Sequence, residues 1–229
     1  MKTNAFILLF LLTLSGCATT SQPNISQYPN WDDKSMVIGV AIADTATPTA
    51  YKSSHLGVLE TTITPNTQEL KLHLKTLDIS NINDIASKLT KLLKSRGLKV
   101  KNLTNKLDLN SLSEFDNKKS NSSYCELDHR KFKSRYGIDK LVVINIKQIG
   151  TIRNYYGFVP LDEPRGLSHL DGYIVNLDTN QLEWKQNVIK KTKNNSDNWN
   201  SASKFEGLTK AIYLSFDQAK NTFLNYFAK

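Results

Sequence analysis

Cysteine is nearly missing from this sequence: 229 residues hold two, at positions 17 and 125. One pair at most excludes a disulfide-stapled scaffold, so stability has to come from an ordinary apolar core, which a chain of this size can build. A membrane-length apolar run is missing too. The run from Ala5 to Leu14 is about half of the roughly twenty residues that a helix needs to cross a bilayer core. Acidic residues are outnumbered, 21 against 30 Lys and Arg, which leaves a formal charge of +9. Such an excess favours anionic surfaces, acidic glycan or an acidic partner. No internal repeat is present, and the four histidines, at 55, 73, 129 and 169, are scattered.

Catalytic signatures are missing as well. Gly166-Leu167-Ser168-His169-Leu170 lacks the second glycine of a nucleophile elbow and leads into a strand, not a strand-to-helix turn. Ser201-Ala202-Ser203-Lys204 and Ser196-Asp197-Asn198 match S-x-x-K and S-D-N, but in reversed order, nearly adjacent and without K-T-G. Asp162 and Glu163 lie between Pro160 and Pro164. Consecutive carboxylates do not face each other across a glycosidic bond as paired acids must, so they read as an acidic loop tip. Cys125 and His129, four apart, would share one face of a helix and could hold a metal or form a thiolate pair, yet no further ligands stand near them. The sequence therefore points to no catalytic residues, no metal site and no enzyme.

What is there begins at the amino terminus. Lys2, the apolar run and the small residues Ser15 and Gly16 have the charge, apolar core and cleavage site of a secretory signal peptide. Leu14-Ser15-Gly16-Cys17 resembles the lipobox of bacterial lipoproteins. The resemblance implies cleavage after residue 16, diacylglycerol and an N-acyl chain on Cys17 with no other cofactor, and a multi-chain membrane anchor. Cys125 would then be a free thiol. Ala18 stands where an aspartate resembles an inner-membrane retention signal, which implies the outer membrane facing the periplasm. Of 229 residues, 213 remain once 16 are removed, and the charge falls to +8 with the loss of Lys2. In that compartment nucleic acid is not an expected partner.

Residues 17–34 read as a lipidated flexible linker, and 35–229 as one periplasmic α/β domain. Ser35 to Ala43 is apolar on both faces, as in a buried central strand. In Leu70 to Ile79, leucines alternate with Lys71, His73 and Lys75, which predicts a half-exposed strand with His73 on its solvated face. Ile82, Ile85, Leu89, Leu92 and Leu93 form one stripe of a helix over 82–96, capped by Ser80 or Asn81 and stopped by Gly97. Strands are expected at 98–103 and 140–149, a short helix over 128–135, and a hairpin of 170–177 and 182–189 whose turn holds Asn180. Asn117 to Ser123 reads as a low-complexity loop. A last helix over 204–227 carries Leu208, Ile212, Phe216, Ala219, Phe223 and Phe227 on one stripe, with Ser203 and Glu206 as a capping box. The expected fold is α/β (α+β), a mixed sheet of about five strands packed by helices.

Two stretches carry a wider likeness. Tyr136 to Val143 resembles the helix-to-strand junction, and Gly172 to Trp184 the tryptophan-bearing hairpin, of the TolB amino-terminal domain and the penicillin-binding-protein-activator lipoproteins. Ile138 and Asn180 depart from that pattern, which has a small residue and a glycine there. The likeness implies a fold and a compartment, with Trp184 and Val188 on the packed face of their strand.

Arg153-Asn154-Tyr155-Tyr156-Gly157-Phe158, continuing to Arg165, lies between two strands. Arginine and aromatic residues are enriched at binding hot spots, so Arg153, Tyr155, Tyr156, Phe158 and Arg165 are the candidate partner-binding residues. The competing reading folds these rings back onto the sheet. The function expected is that of a noncatalytic envelope module binding another envelope protein or an acidic cell-wall component. The alternative is a homo-oligomeric lipoprotein ring or secretion-complex subunit, with an enzyme of unrecognised site behind it.

Overall fold

A computed structural model describes residues 26, 28–54, 57–60, 65–80, 84–103, 107–116, 123–193 and 200–228. Cys17, His55, Ile82 and the Ser196-Asp197-Asn198 motif lie outside them. The strands are β1 (Val37–Thr45), β2 (Thr49–Ser54), β3 (Gly57–Glu60), β4 (Lys99–Leu103), β5 (Lys140–Tyr156), β6 (Val159–Pro160), β7 (Arg165–Asn176) and β8 (Leu182–Thr192). The helices are α1 (Pro65–Lys75), α2 (Asp84–Ser95), α3 (Lys131–Tyr136) and α4 (Glu206–Asn225).

The mixed sheet is built on β5. Along one edge β5 takes β1 and then β2, both parallel, with Ile38 opposite Lys140 and Thr49 opposite Gly150. Strand β4 continues parallel from β1, and β3 antiparallel from β2. On the other edge β7 pairs antiparallel with β5, and β8 with β7. The α/β expectation holds, but the sheet is larger than five strands. Leu141 to Ile146 are all buried, as expected of a strand covered on both faces.

One core lies between the sheet and the helices. Val142, Ile144, Leu170, Ile174, Trp184 and Val188 meet Ile85, Leu89 and Leu93 of α2 and Leu208, Ile212, Phe216, Ala219 and Phe223 of α4. The fit is close enough to require glycine. A Cβ on Gly166 would sit 2.2 Å from the Ala211 carbonyl oxygen, and one on Gly172 2.3 Å from the Phe223 ring. The second core lies across the sheet, where Leu107, Leu112, Cys125, Phe132 and Ile138 cover Leu141, Val143 and Val175.

Several local expectations are corrected. Leu70 to Lys75 belongs to a helix: Leu74 is buried and Leu70 half-buried four residues apart, while Leu72 faces solvent. His73 is partly covered, since its Nε2 lies 2.7 Å from Thr209 Oγ1 and its ring stacks on Phe205. The capping box does not form. Phe205, in the left-handed region at φ 56°, precedes α4 without a side-chain cap, and Ser203 Oγ donates instead to the Asn200 carbonyl. Within the stretch read as linker, Tyr28 packs on Tyr226 and Trp31 on Phe227, at the carboxyl end of α4.

Candidate functional site

Strand β5 runs seven residues past the expected end at Ile149, because β2 and β7 flank its second half. Arg153, Asn154, Tyr155 and Tyr156 are therefore strand residues, not loop residues. Gly157, at φ 60°, turns the chain, and Tyr155 and Tyr156 pair with Pro160 and Val159 of β6. At this tip Tyr156 is 74% exposed, Phe158 95%, Val159 62% and Leu161 64%. Tyr155 is half-buried. The rings do not fold back into the core. Lys52 of β2 sits over them, 5.1 Å from the Tyr155 centroid and 5.0 Å from that of Phe158, and donates to the Gly157 carbonyl.

An acid holds the tip rigid. Asp162 accepts from the Asn154 backbone N–H at 2.9 Å and from Asn154 Nδ2 at 2.6 Å, and pairs with Arg165 at 3.1 Å. Arg153 Nε donates to the Asp162 carbonyl, and the Asn154 carbonyl accepts from Leu161 N–H. Asp162 is thus an internal clamp and not an exposed acidic loop tip; only Glu163 beside it is exposed. Of the five candidates, Tyr156 and Phe158 present their rings to solvent, Tyr155 lies under Lys52, and Arg153 and Arg165 brace the clamp.

The pairing of Cys125 and His129 on a helix is overturned. Cys125 lies outside any helix and sends its N–H to the Asn180 carbonyl, and α3 starts only at Lys131. Burial pushes the Cys125 thiol up to about 12, so it stays protonated at neutral pH. His129 is buried, with Nδ1 2.8 Å from the Leu127 carbonyl and Nε2 3.0 Å from the Tyr173 hydroxyl. Sequence reasoning placed Asn180 in the hairpin turn but missed its organising role. Buried Asn180, at φ 63°, accepts from His129 N–H at 3.0 Å through Oδ1. Its Nδ2 donates to the carbonyls of Cys125 and Leu127 at 3.1 and 3.0 Å. An asparagine, in place of glycine, at a left-handed turn position was the available signal.

Burial holds the His129 imidazole below its usual range, and desolvation acts the same way on His73. The folded protein therefore binds fewer protons than the unfolded chain below the free histidine value of about 6.5, so stability is full above that pH and falls as pH drops below it. Thermal unfolding is expected at lower temperature at pH 5 than at pH 7.5, with a smaller difference in His129→Gln. An unchanged difference in the variant would place the titration elsewhere.

No family model matches the sequence, and no curated protein matches it. Solved structures similar to it include a lipoprotein from Neisseria meningitidis, at 14% identity and TM-score 0.37, covering 83% of this chain and 99% of that one. A DUF330 protein from Xanthomonas campestris has 9% identity and TM-score 0.39, covering 84% of each chain. A PelC dodecamer from Paraburkholderia phytofirmans has 6% identity and TM-score 0.36, covering 85% of this chain and 92% of that one.

Proposed function

We propose that the protein is a noncatalytic, lipid-anchored binding module of the cell envelope that docks another envelope protein through the tip of β5 and β6. The observation that carries this reading is the tip itself. Four large apolar side chains stand in water on a turn that the Asp162 clamp fixes in advance. Leaving such groups exposed forgoes burial free energy that a partner pocket would return, and a rigid turn loses little entropy on binding.

Placement supports the same reading. The chain joins the domain at the opposite pole, where Tyr28 and Trp31 pack at the end of α4 and Ile38 lies beside Lys140 at the start of β5. The 17 residues of β5 amount to about 50 Å of strand from that pole to the tip. From Cys17 to Tyr28 the eleven positions reach at most about 40 Å. An anchor on Cys17 would thus tether the domain at the pole opposite the tip. With Ala18 after the cysteine, the reading places the anchor in the outer membrane and the tip in the periplasm. The TolB-like resemblance of 136–143 and 172–184 belongs to the same proposal.

Two measurements test it. Cys17→Ser is expected to lose palmitate labelling and membrane association, since no helix of the described residues is long and apolar enough to cross a membrane; persistent labelling would remove the anchor from the account. A photo-crosslinking amino acid at position 158 is expected to give discrete protein adducts in cells, and one at exposed Lys210 none. Adducts to lipid alone, with binding of the Cys17→Ser protein to phosphatidylglycerol vesicles lost in Phe158→Ser, would make the tip a membrane contact instead.

A further inference from the structure

We infer that the partner pocket which takes the tip carries a carboxylate that pairs with Lys52, an inference that rests on the binding-module reading. Lys52 reaches the tip from β2, where its backbone lies opposite Arg153 of β5. Its half-buried side chain ends 5.1 Å from the Tyr155 centroid and 5.0 Å from that of Phe158. Of the three ammonium N–H donors, the Gly157 carbonyl accepts one. The ring faces attract the charge without cancelling it. Among the described residues no carboxylate pairs with Lys52.

The acids of the tip do not serve Lys52. Asp162 is spent on the Asn154 N–H, on Asn154 Nδ2 and on Arg165. Exposed Glu163 forms no ion pair among the described residues. In the free protein solvent compensates the half-buried ammonium. A partner that covers the Tyr155 and Phe158 rings strips that solvent away, and an ammonium buried without a counter-charge is strongly unfavourable. Docking through these rings therefore demands an anion at Lys52 Nζ.

Glu163 decides the source of that anion. It stands exposed beside the clamp, so an anionic bilayer facing the tip repels it. A folded pocket can set one acid against Lys52 and leave Glu163 at a polar rim. A wholly apolar pocket strands the ammonium, and a basic one repels it. The occupant is therefore an envelope protein whose apolar pocket has an Asp or Glu on its wall. The formal charge of +9 on this chain adds long-range attraction to such an acidic surface.

The test places the photo-crosslinking amino acid at position 158 of the full chain in cells, in the native background and with Lys52→Arg, Lys52→Met or Lys52→Glu. Protein adducts are expected to persist with arginine, to fall at least about tenfold with methionine and to disappear with glutamate. The purified variants should melt within a few degrees of the native protein. Mass spectrometry of the adduct locates the partner's crosslinked segment. Changing the acid beside that segment to lysine is expected to restore adducts to the Lys52→Glu chain, which a packing role for Lys52 would not do. Undiminished adducts with methionine and glutamate, a crosslinked segment with no acid beside it, or a charge swap that restores nothing would overturn the inference and leave the tip reading standing. Absence of protein adducts from the native chain would remove both. Adducts to lipid alone, with phosphatidylglycerol-vesicle binding of the Cys17→Ser protein lost in Lys52→Met, would make the anion a lipid phosphate and overturn the protein carboxylate.

Discussion

Trp184→Ala is expected to cost about 3–5 kcal/mol of stability, the range for truncating a large buried aromatic. The indole is fully buried between the sheet and α4, and its ring lies 5.9 Å from Phe223, 5.9 Å from Tyr226 and 4.9 Å from Phe227. Phe227 also packs on Trp31 and Phe223, and its carbonyl accepts from Arg96. One side chain therefore joins β8, the end of α4, the end of α2 and the arriving amino-terminal segment. Its loss opens a cavity that these aromatic neighbours cannot fill without leaving their own contacts. For a domain of this size the melting temperature should fall by about 6–20 °C. A fall of one or two degrees would show that the aromatic cluster closes over the gap.

Asn180→Ala is expected to cost about 3 kcal/mol or more, which is large for an exposed-looking hairpin turn. Two effects add. Alanine at φ 63° meets the left-handed penalty of about 1–2 kcal/mol. It also strands the His129 N–H and the Cys125 and Leu127 carbonyls that the amide serves, and unsatisfied buried groups cost about 1–3 kcal/mol each. Glycine relieves only the first effect, so Asn180→Gly should fall between alanine and the native protein. Denaturant unfolding of the three proteins measures the split. Equal stability of the alanine and glycine variants would remove the backbone contribution.

Much of the fold was legible because burial imposes simple periods. Continuous apolar runs marked β1 and the first half of β5, the polar turn at 178–181 marked the hairpin of β7 and β8, and a stripe at helical spacing marked α2 and α4. Gly137, left-handed at φ 58° with its N–H on the Lys133 carbonyl, ended α3 as the helix-to-strand junction required. Buried Trp184 and Val188 lay on the expected face of their strand. Short amphipathic segments misled. In α1 a leucine at every second position imitated a strand, although helical packing uses Leu70 and Leu74 and leaves Leu72 outside; Pro65 at the first helical position was the contrary signal. Strands β2 and β3 lack an apolar run; β2 exists through pairing with distant β5, and β3 through pairing with β2. Pairing with β2 carries β5 through Asn154, and pairing with β6 carries it through Tyr156, a stretch that local sequence read as a loop.

The composition of the candidate site could be read in advance, and its mechanics could not. Arginine and aromatic content singled out 153–165. Nothing local showed that Asp162 would turn back onto Asn154 and Arg165, or that Lys52, about a hundred residues away, would lie over Tyr155 and Phe158.

The central claim is that the exposed rings bind a partner and do not hold the fold. Tyr155→Ala combined with Tyr156→Ala tests it most directly, by thermal unfolding beside recovery of crosslinked partners from cells. The expected result is a melting temperature near the native value and a loss of partner binding of roughly 2–4 kcal/mol. A strongly destabilised variant, or a stable one that recovers every native partner, would contradict it.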